Sequence, residues 1–457
     1  MKNKIKPFHG LRYNLRKFKS AEQFACWPYD IIDPKKQDEF HRNGEYNIIR
    51  VTLGREKPSD NPKNNKYTRA YENLYSWFRK GVLIKDEKPA FYAYQQKYKV
   101  PFSDTVRVIN GFIGLIKLQD YDKKRILPHE DVLSKPLEDR FNLYKTTEIQ
   151  DSGIYGLYED KKNVVDKLFN SYMEKNKPDI NYDENHTINH RFWVVKDADL
   201  IRNVESTMNS KVIYIADGHH RYHTMLNLKK YYREKYGIPE HMDHPVDYIM
   251  MFFVNSSHQG LTILPTHRIL YNLKELKLKA LLEHIKDYFH LKVFTFNTPR
   301  EEEKERKRWL YLLNSAPDNT HSFGIYIENL KRYFLLTLKK KEAYFKMFNV
   351  QRPNIWKSLD VSIIHTLLIN YILHITNKDV SNQIYIDYTK DYHEAIQKVK
   401  DEKYNVAIIC NSTRINQILR IAKIGEKMPQ KSTYFYPKIL TGLVMYDMRG
   451  LEKVRNP

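Results

Sequence analysis

Asp217, Gly218, His219, His220 and Arg221 place a carboxylate, two imidazoles and a fixed cation around one glycine. An arginine fork matches the oxygens of a phosphate or carboxylate, and imidazole gains or loses a proton near neutrality. An aspartate can ligate a divalent cation or accept a proton. The same residues have a structural reading, with Asp as an N-cap, Gly in a tight turn and His as a satisfied core residue. Four polar side chains against an apolar run need partners, and that cost favours the functional reading.

The elements around this box fit a site. Val212–Ala216 is a short apolar run rich in β-branched residues and reads as a buried strand. The pattern breaks at Gly218, and from Tyr222 onward Met225, Leu226 and Leu228, with Lys229–Arg233 behind them, read as a helix with a basic outer face. A strand-to-helix turn offers unpaired N–H donors and partial positive charge to an anion.

Other stretches pair charge with apolar runs. Pro128-His129-Glu130 precedes Glu138-Asp139-Arg140, which begins a predicted helix; its structural alternative is a salt-bridged helix start. His267 and Arg268 follow Val246–Val254, the most apolar run of the chain and a predicted central strand. If the Val212–Ala216 and Val246–Val254 strands are neighbours, their ends share one pocket at a sheet edge. Lys431, Ser432 and Thr433 lie on a predicted loop with Lys438 nearby, and can offer ammonium and hydroxyl donors. The alternative there is a loop pinned by Tyr434, Phe435 and Tyr436 with exposed lysines. One shared polar site is the economical account, so His129, Glu130, His267, Arg268 and Lys431 are expected to approach the 217–221 turn.

At 457 residues the chain exceeds a single usual core. Three subdomains are expected: 1–125, an N-terminal α+β part; 126–272, bearing the Asp217–Arg221 box; and 273–457, an α+β lobe closing over the site with the 431–438 loop. Tyr46–Leu53, Pro89–Tyr98, Gly111–Leu118, Arg191–Val195, Tyr333–Leu338, Tyr344–Met347 and Asn405–Cys410 read as strands. Tyr67–Lys80, Asp199–Asn209, Leu273–Phe289, Arg300–Leu313, Val361–Ile375 and Arg414–Lys423 read as helices, and Lys175–Thr187 as an exposed loop. His365, inside the apolar 361–375 run, reads as core.

Net charge is +22, an attractive field for nucleotides, phosphorylated metabolites or nucleic acid. The lysines are dispersed, so a local phosphate site ranks ahead of a polynucleotide groove. The 2 cysteines, Cys26 and Cys410, form no zinc spacing and suit a reducing cytoplasm. No run approaches the length of a membrane span, and no secretory leader follows Met1, so membrane association is not expected.

The box also carries a resemblance. ADGHHRY at Ala216–Tyr222 resembles the hallmark of the family catalogued as domain of unknown function 1015. Pro7–Arg12, Pro28-Tyr29-Asp30, Pro128-His129-Glu130, Asp139-Arg140, Gly260–Arg268 and Met428–Leu443 resemble its other motifs. The DGHHR turn is similar to the nucleotide-phosphate box of the ParB/sulfiredoxin superfamily, in particular its free serine kinase variant. This implies an α+β fold of mixed sheets with flanking helices around a ParB/sulfiredoxin-like nucleotide-binding core.

Phosphoryl transfer is the chemistry these residues serve best, since it needs positioning and charge neutralisation more than a special nucleophile. Arg221 and the helix-start amides at Gly218 would hold phosphates, with His129, Arg140, His267, Arg268, Lys431, Ser432, Thr433 and Lys438 as further ligands. Asp217 would bind Mg²⁺, His219 or His220 would stabilise charge or protonate a leaving oxygen, and Glu130 would be the acceptor's base. The resemblance implies ATP or ADP as donor and a serine-like acceptor. Two alternatives remain open: a phosphatase of a phosphoserine-like ester, and a ParB-like nucleotide-switched or DNA-binding protein. No GxxxxGK[ST], GxSxG, HExxH or complete GxGxxG motif is present.

Overall fold

The computed structural model describes residues 3–131, 134–273, 275–317, 319–327, 330–339, 344–345, 352–401 and 404–449. Two units divide the chain: Met1–Pro128 with Val132–Thr262 and Phe435–Pro457, and His129–Asp131 with Ile263–Tyr434.

Among the described residues of the first unit, a nine-stranded sheet is built from β1 (Ile5–Lys6), β2 (Phe91–Lys99), β3 (Val106–Lys117), β4 (Ile126–Leu127), β5 (Ile154–Tyr158), β6 (Ile180–Glu184), β7 (Ile188–Val195), β8 (Ile213–Asp217) and β9 (Tyr248–Asn255). Their order is β4-β8-β5-β9-β3-β2-β7-β6, with β1 on β3. Parallel pairs β4/β8 and β5/β9 sit beside antiparallel neighbours, so the sheet is mixed. Every residue of β9 is buried, as its continuous apolar run requires of a central strand. The helices are α1 (Pro34–Asn43), α2 (Ile49–Thr52), α3 (Lys66–Arg79), α4 (Ser134–Thr147), α5 (Val164–Lys175), α6 (Ala198–Met208) and α7 (His219–Tyr236).

Three expectations fail here. Tyr46–Leu53 contains α2 rather than a strand, because buried Asn47 accepts the Ile49 amide and donates to the carbonyls of Glu22 and Ala25, anchoring a turn. Within Lys175–Thr187, Ile180–Glu184 is an edge strand paired with β7; Ile180 and Glu184 are buried and Asn181 and Asp183 exposed, an alternation hidden by polar residues. Strands β8 and β9 are not neighbours: β5 lies between them.

In the second unit the described strands are β10 (His267–Leu270), β11 (Phe289–Thr295), β12 (Ser322–Ile327), β13 (Arg332–Leu338), β14 (Ile386–Thr389) and β15 (Val406–Cys410), ordered β11-β13-β12-β15-β10-β14 and antiparallel throughout. Alternation along the strands feeds two cores. Leu270, Ile325, Leu336 and Ile408 join α8 (Glu275–Tyr288) and the apolar 360–372 segment on one face. Ile269, Tyr326, Leu335 and Ile409 join α9 (Pro299–Asn314) and α10 (Tyr392–Lys400) on the other. A last helix, α11 (Ile415–Lys423), ends at Gly425, whose φ is +76°. The segment expected as one α-helix, 361–375, is α-helical over Asp360–Ile363 and π-helical over Ile364–Ile372. His365 is buried in it, as core. Of Tyr344–Met347, Tyr344 and Phe345 are helical rather than extended, and the rest lies outside the described residues.

The chain is thus α+β, with mixed and antiparallel sheets flanked by helices. Among the described residues no helix is long and apolar enough to cross a membrane.

Candidate functional site

Strand β8 ends in a bulge. Ile215 pairs with Gly156 but Asp217 pairs with Tyr155, so Ala216 is the extra residue and Asp217 is re-aimed at the strand's end. Gly218 then turns the chain with φ +92°, and α7 begins at once with His219. A Cβ at Gly218 would lie 2.6 Å from Ile154 Cγ2, so both the backbone angle and the space demand glycine.

At this turn Asp217 meets two cations. Lys438 Nζ lies 3.2 Å from Oδ1 and Arg221 Nη2 3.6 Å from Oδ2. Burial alone would raise the Asp217 carboxyl, but Lys438 and Arg221 outweigh it and hold the group well below the usual carboxylate range, with His219 adding to them. Arg221 is 4% exposed and locked in place: Nη1 donates to Ser152 Oγ at 3.1 Å and to Gly153 O at 2.9 Å. His219 is buried and His220 partly exposed.

A second buried guanidinium belongs to the same unit. Arg140 on α4 donates through Nε and Nη2 to Asp139 and lies 4.1 Å over the Tyr29 ring. Burial works against the Asp139 carboxylate, yet Arg140 and Lys66 bring it down to about 2. Arg140 Nη1 and both oxygens of Asp151 are buried with no hydrogen-bond partner among the described residues. Asp151 acts electrostatically on Arg140 and Tyr144, while Asp30 and Tyr29 act on Arg221. Such orphaned polar groups are expensive to bury and mark a polar environment built for more than packing. Sequence reading passed over Tyr29, Asp30, Asp151 and Ser152 as site residues. Pro28-Tyr29-Asp30 was a motif that could have flagged the first two; Asp151 and Ser152 carry no local signal.

The remaining candidates lie in the second unit and are bonded there. His129 is fully buried with Nε2 3.0 Å from Thr433 Oγ1, and its carbonyl accepts the Met428 amide. Glu130 Oε1 accepts the Lys431 amide at 3.0 Å, fixing a residue whose φ is +56°. Ser432 Oγ donates to Pro429 O, while Ser432 O accepts from Thr413 Oγ1 at 3.0 Å. Arg268 is fully buried, donating to the Thr266 and Lys431 carbonyls, with no ion pair to a carboxylate among the described residues. His267 Nδ1 accepts the Cys410 amide; burial, then Arg268, pushes its pKa down to about 3, so the ring is neutral. The expected ligands therefore divide: Asp217, Gly218, His219, His220, Arg221, Arg140 and Lys438 in the first unit; His129, Glu130, His267, Arg268, Lys431, Ser432 and Thr433 in the second.

A resident Mg²⁺ does not fit Asp217, since each of its oxygens already faces a cation and a dication would be repelled by both. Among the described residues, no group of three or more His, Cys, Asp or Glu could hold a metal.

Among solved structures the chain is similar to a free serine kinase in complex with AMP, at 12% identity and TM-score 0.34, covering 70% of this chain and 89% of that one. It is similar to a conserved hypothetical protein from Pyrococcus furiosus at 12% identity and TM-score 0.32, covering 70% and 92%. A third likeness is to SbnI with C-terminal truncation from Staphylococcus aureus, at 12% identity and TM-score 0.33, covering 72% and 86%. No curated protein matches. The family model described as "Protein of unknown function (DUF1015)" matches residues 5–362, and the chain belongs to that family.

Proposed function

We propose that the protein is a phosphoryl-transfer enzyme, a kinase that uses ATP or ADP to phosphorylate a small, serine-like hydroxylated metabolite. The observation that carries this reading is the convergence of Arg221 and Lys438 on opposite oxygens of Asp217, at a glycine turn that opens a helix. Asp217 keeps two buried cations compensated, and an arriving phosphate competes with it for both. The resemblance of the DGHHR turn to a nucleotide-phosphate box supports the same assignment.

In the reaction, the bond between the terminal phosphorus and its bridging oxygen breaks as the substrate hydroxyl oxygen bonds to phosphorus, and the hydroxyl proton passes to a carboxylate. Arg221, Lys438 and the amides after Gly218 neutralise the phosphates, with Arg140 as a further cation. His220, partly exposed, and His219 stabilise charge on the leaving oxygen or protonate it. Any Mg²⁺ arrives as the nucleotide's counter-ion. Glu130 is the sequence-derived candidate for the proton acceptor, and exposed Asp30, which acts on Arg221, is a second.

Phosphorus NMR of the protein with Mg²⁺ and ATP or ADP, with and without L-serine, tests the reading; phosphoserine and the dephosphorylated nucleotide are the expected products. Release of inorganic phosphate from phosphoserine without nucleotide would assign the phosphatase instead. If neither nucleotide nor phosphoserine binds and duplex DNA does, phosphoryl transfer is the wrong chemistry. Loss of turnover in Asp30→Asn with Glu130→Gln active assigns the base to Asp30; the reverse assigns it to Glu130.

A further inference from the structure

The first unit holds a cavity of about 260 Å³ lined by His41, Arg50, Arg55, Lys57, Lys66 and Arg69, together with Gly54 and Asn73. Of its five lining cations three are paired with carboxylates. Asp38 pairs with Arg55, Asp60 with Arg69 at 2.6 Å, and Glu56 and Asp139 with Lys66 at 2.8 Å each. Arg50 has no carboxylate partner among the described residues, and Lys57 has no ion pair there, its charge acting only at longer range on Asp60; the Arg50 side chain donates from Nη2 to the His41 carbonyl at 3.0 Å. His41 Nε2 and Arg50 Nε in this cluster are buried with no hydrogen-bond partner among the described residues. Buried donors left unmade cost stability, and lining cations left uncompensated repel one another. One ligand relieves both: an anion with several acceptor oxygens.

We propose that this cavity is a binding site for a phosphate dianion, free or as the head of a small phosphomonoester, separate in its residues from the Asp217 turn. The volume suits a small anion and is below the range typical of sites that enclose drug-sized ligands, about 300–1,000 Å³. Arg50 supplies a guanidinium fork for two oxygens and Lys57 a mobile point charge at the exposed rim. His41 is the local reporter. Burial first, then Arg50 and Arg55, push its pKa down to about 4 against the opposing pull of Asp38, so the ring is neutral at pH 7. A dianion beside it reverses the balance set by the two arginines and raises that pKa.

The test is a titration of the full chain with inorganic phosphate against chloride at equal ionic strength, read by the imidazole NMR signal of His41, assigned by its loss in His41→Gln. Saturable movement of that signal is expected, with the His41 titration midpoint rising by about one pH unit or more. Arg50→Gln and Lys57→Glu should each weaken the phosphate response about tenfold or more. Lys57 is exposed, so its variant keeps the fold even if Arg50→Gln does not. A phosphate response equal to that with chloride overturns the proposal, as does a saturable response that Lys57→Glu leaves unchanged. Phosphoserine in place of phosphate separates the two sources: tighter binding of the ester assigns a phosphomonoester site, and equal binding assigns the free ion. Because His41 is read directly, failure here is distinguishable from failure of the kinase reading.

Discussion

Lys438 and Arg221 face the same carboxylate but are anchored differently, and their removal should have different consequences. Arg221 is bonded to Ser152 and Gly153, so Arg221→Ala strands the Gly153 carbonyl and leaves Asp217 with one cation fewer. That variant should lose nucleotide affinity and also about 1–3 kcal/mol of stability, measured by titration and by denaturant melts. Lys438→Met removes charge while keeping most of the apolar stem. It should weaken nucleotide or phosphoserine binding about ten- to hundredfold and, because Asp217 again loses a cation, lower stability as well, but by less than Arg221→Ala, which also strands the Gly153 carbonyl. Equal affinity in Lys438→Met would mean that the lysine only neutralises Asp217. Arg221 was legible in the sequence because the whole DGHHR box is contiguous. Asp151 was not: its burial and its effect on Arg140 come from contacts that no local pattern encodes.

The strand-to-helix unit β8–Gly218–α7 was legible because an apolar β-branched run, a glycine and a helical pattern follow one another within a few residues. What the pattern did not show is that the helix starts at His219, placing the two histidines in its first turn, or that Ala216 bulges. Elements decided by remote partners were misread: α2 by the bonds of Asn47 to Glu22 and Ala25, and β6 by pairing with β7. Gly218→Ala tests how much the turn depends on its backbone. Its positive φ and the 2.6 Å approach to Ile154 together should destabilise the protein by about 2 kcal/mol or more and weaken phosphate binding, since the helix start must shift. A melt within error of the parent would show that the turn relaxes without cost.

Across the whole molecule, acid stability should be governed first by histidines and only then by carboxylates. His267 and His365 are buried in the second unit, and burial followed by Arg268 pushes each pKa down to about 3 from the ordinary 6.5. The unfolded chain therefore binds a proton at each position below about pH 6.5 while the folded chain does not. Stability contributed by the neutral rings is complete above that value and falls as pH drops towards about 3, each ring contributing a slope of up to about 1.4 kcal/mol per pH unit. The carboxylate contribution has the same sign but a lower window: Asp139, held down to about 2 from 3.8, keeps its full contribution above about pH 4 and loses it as pH approaches 2. Urea melts at pH 7.5, 6, 5 and 4 should show a decline that begins near pH 6.5, before any aspartate titrates. His365→Gln should flatten that decline by one proton's worth, about 1.4 kcal/mol per pH unit, while leaving the loss below pH 4 in place. If the parent is equally stable at pH 7.5 and 5, the two rings are not buried neutral in solution, and Arg268 Nη2 does not sit between His365 Nε2, at 3.5 Å, and the Lys431 carbonyl, at 3.2 Å.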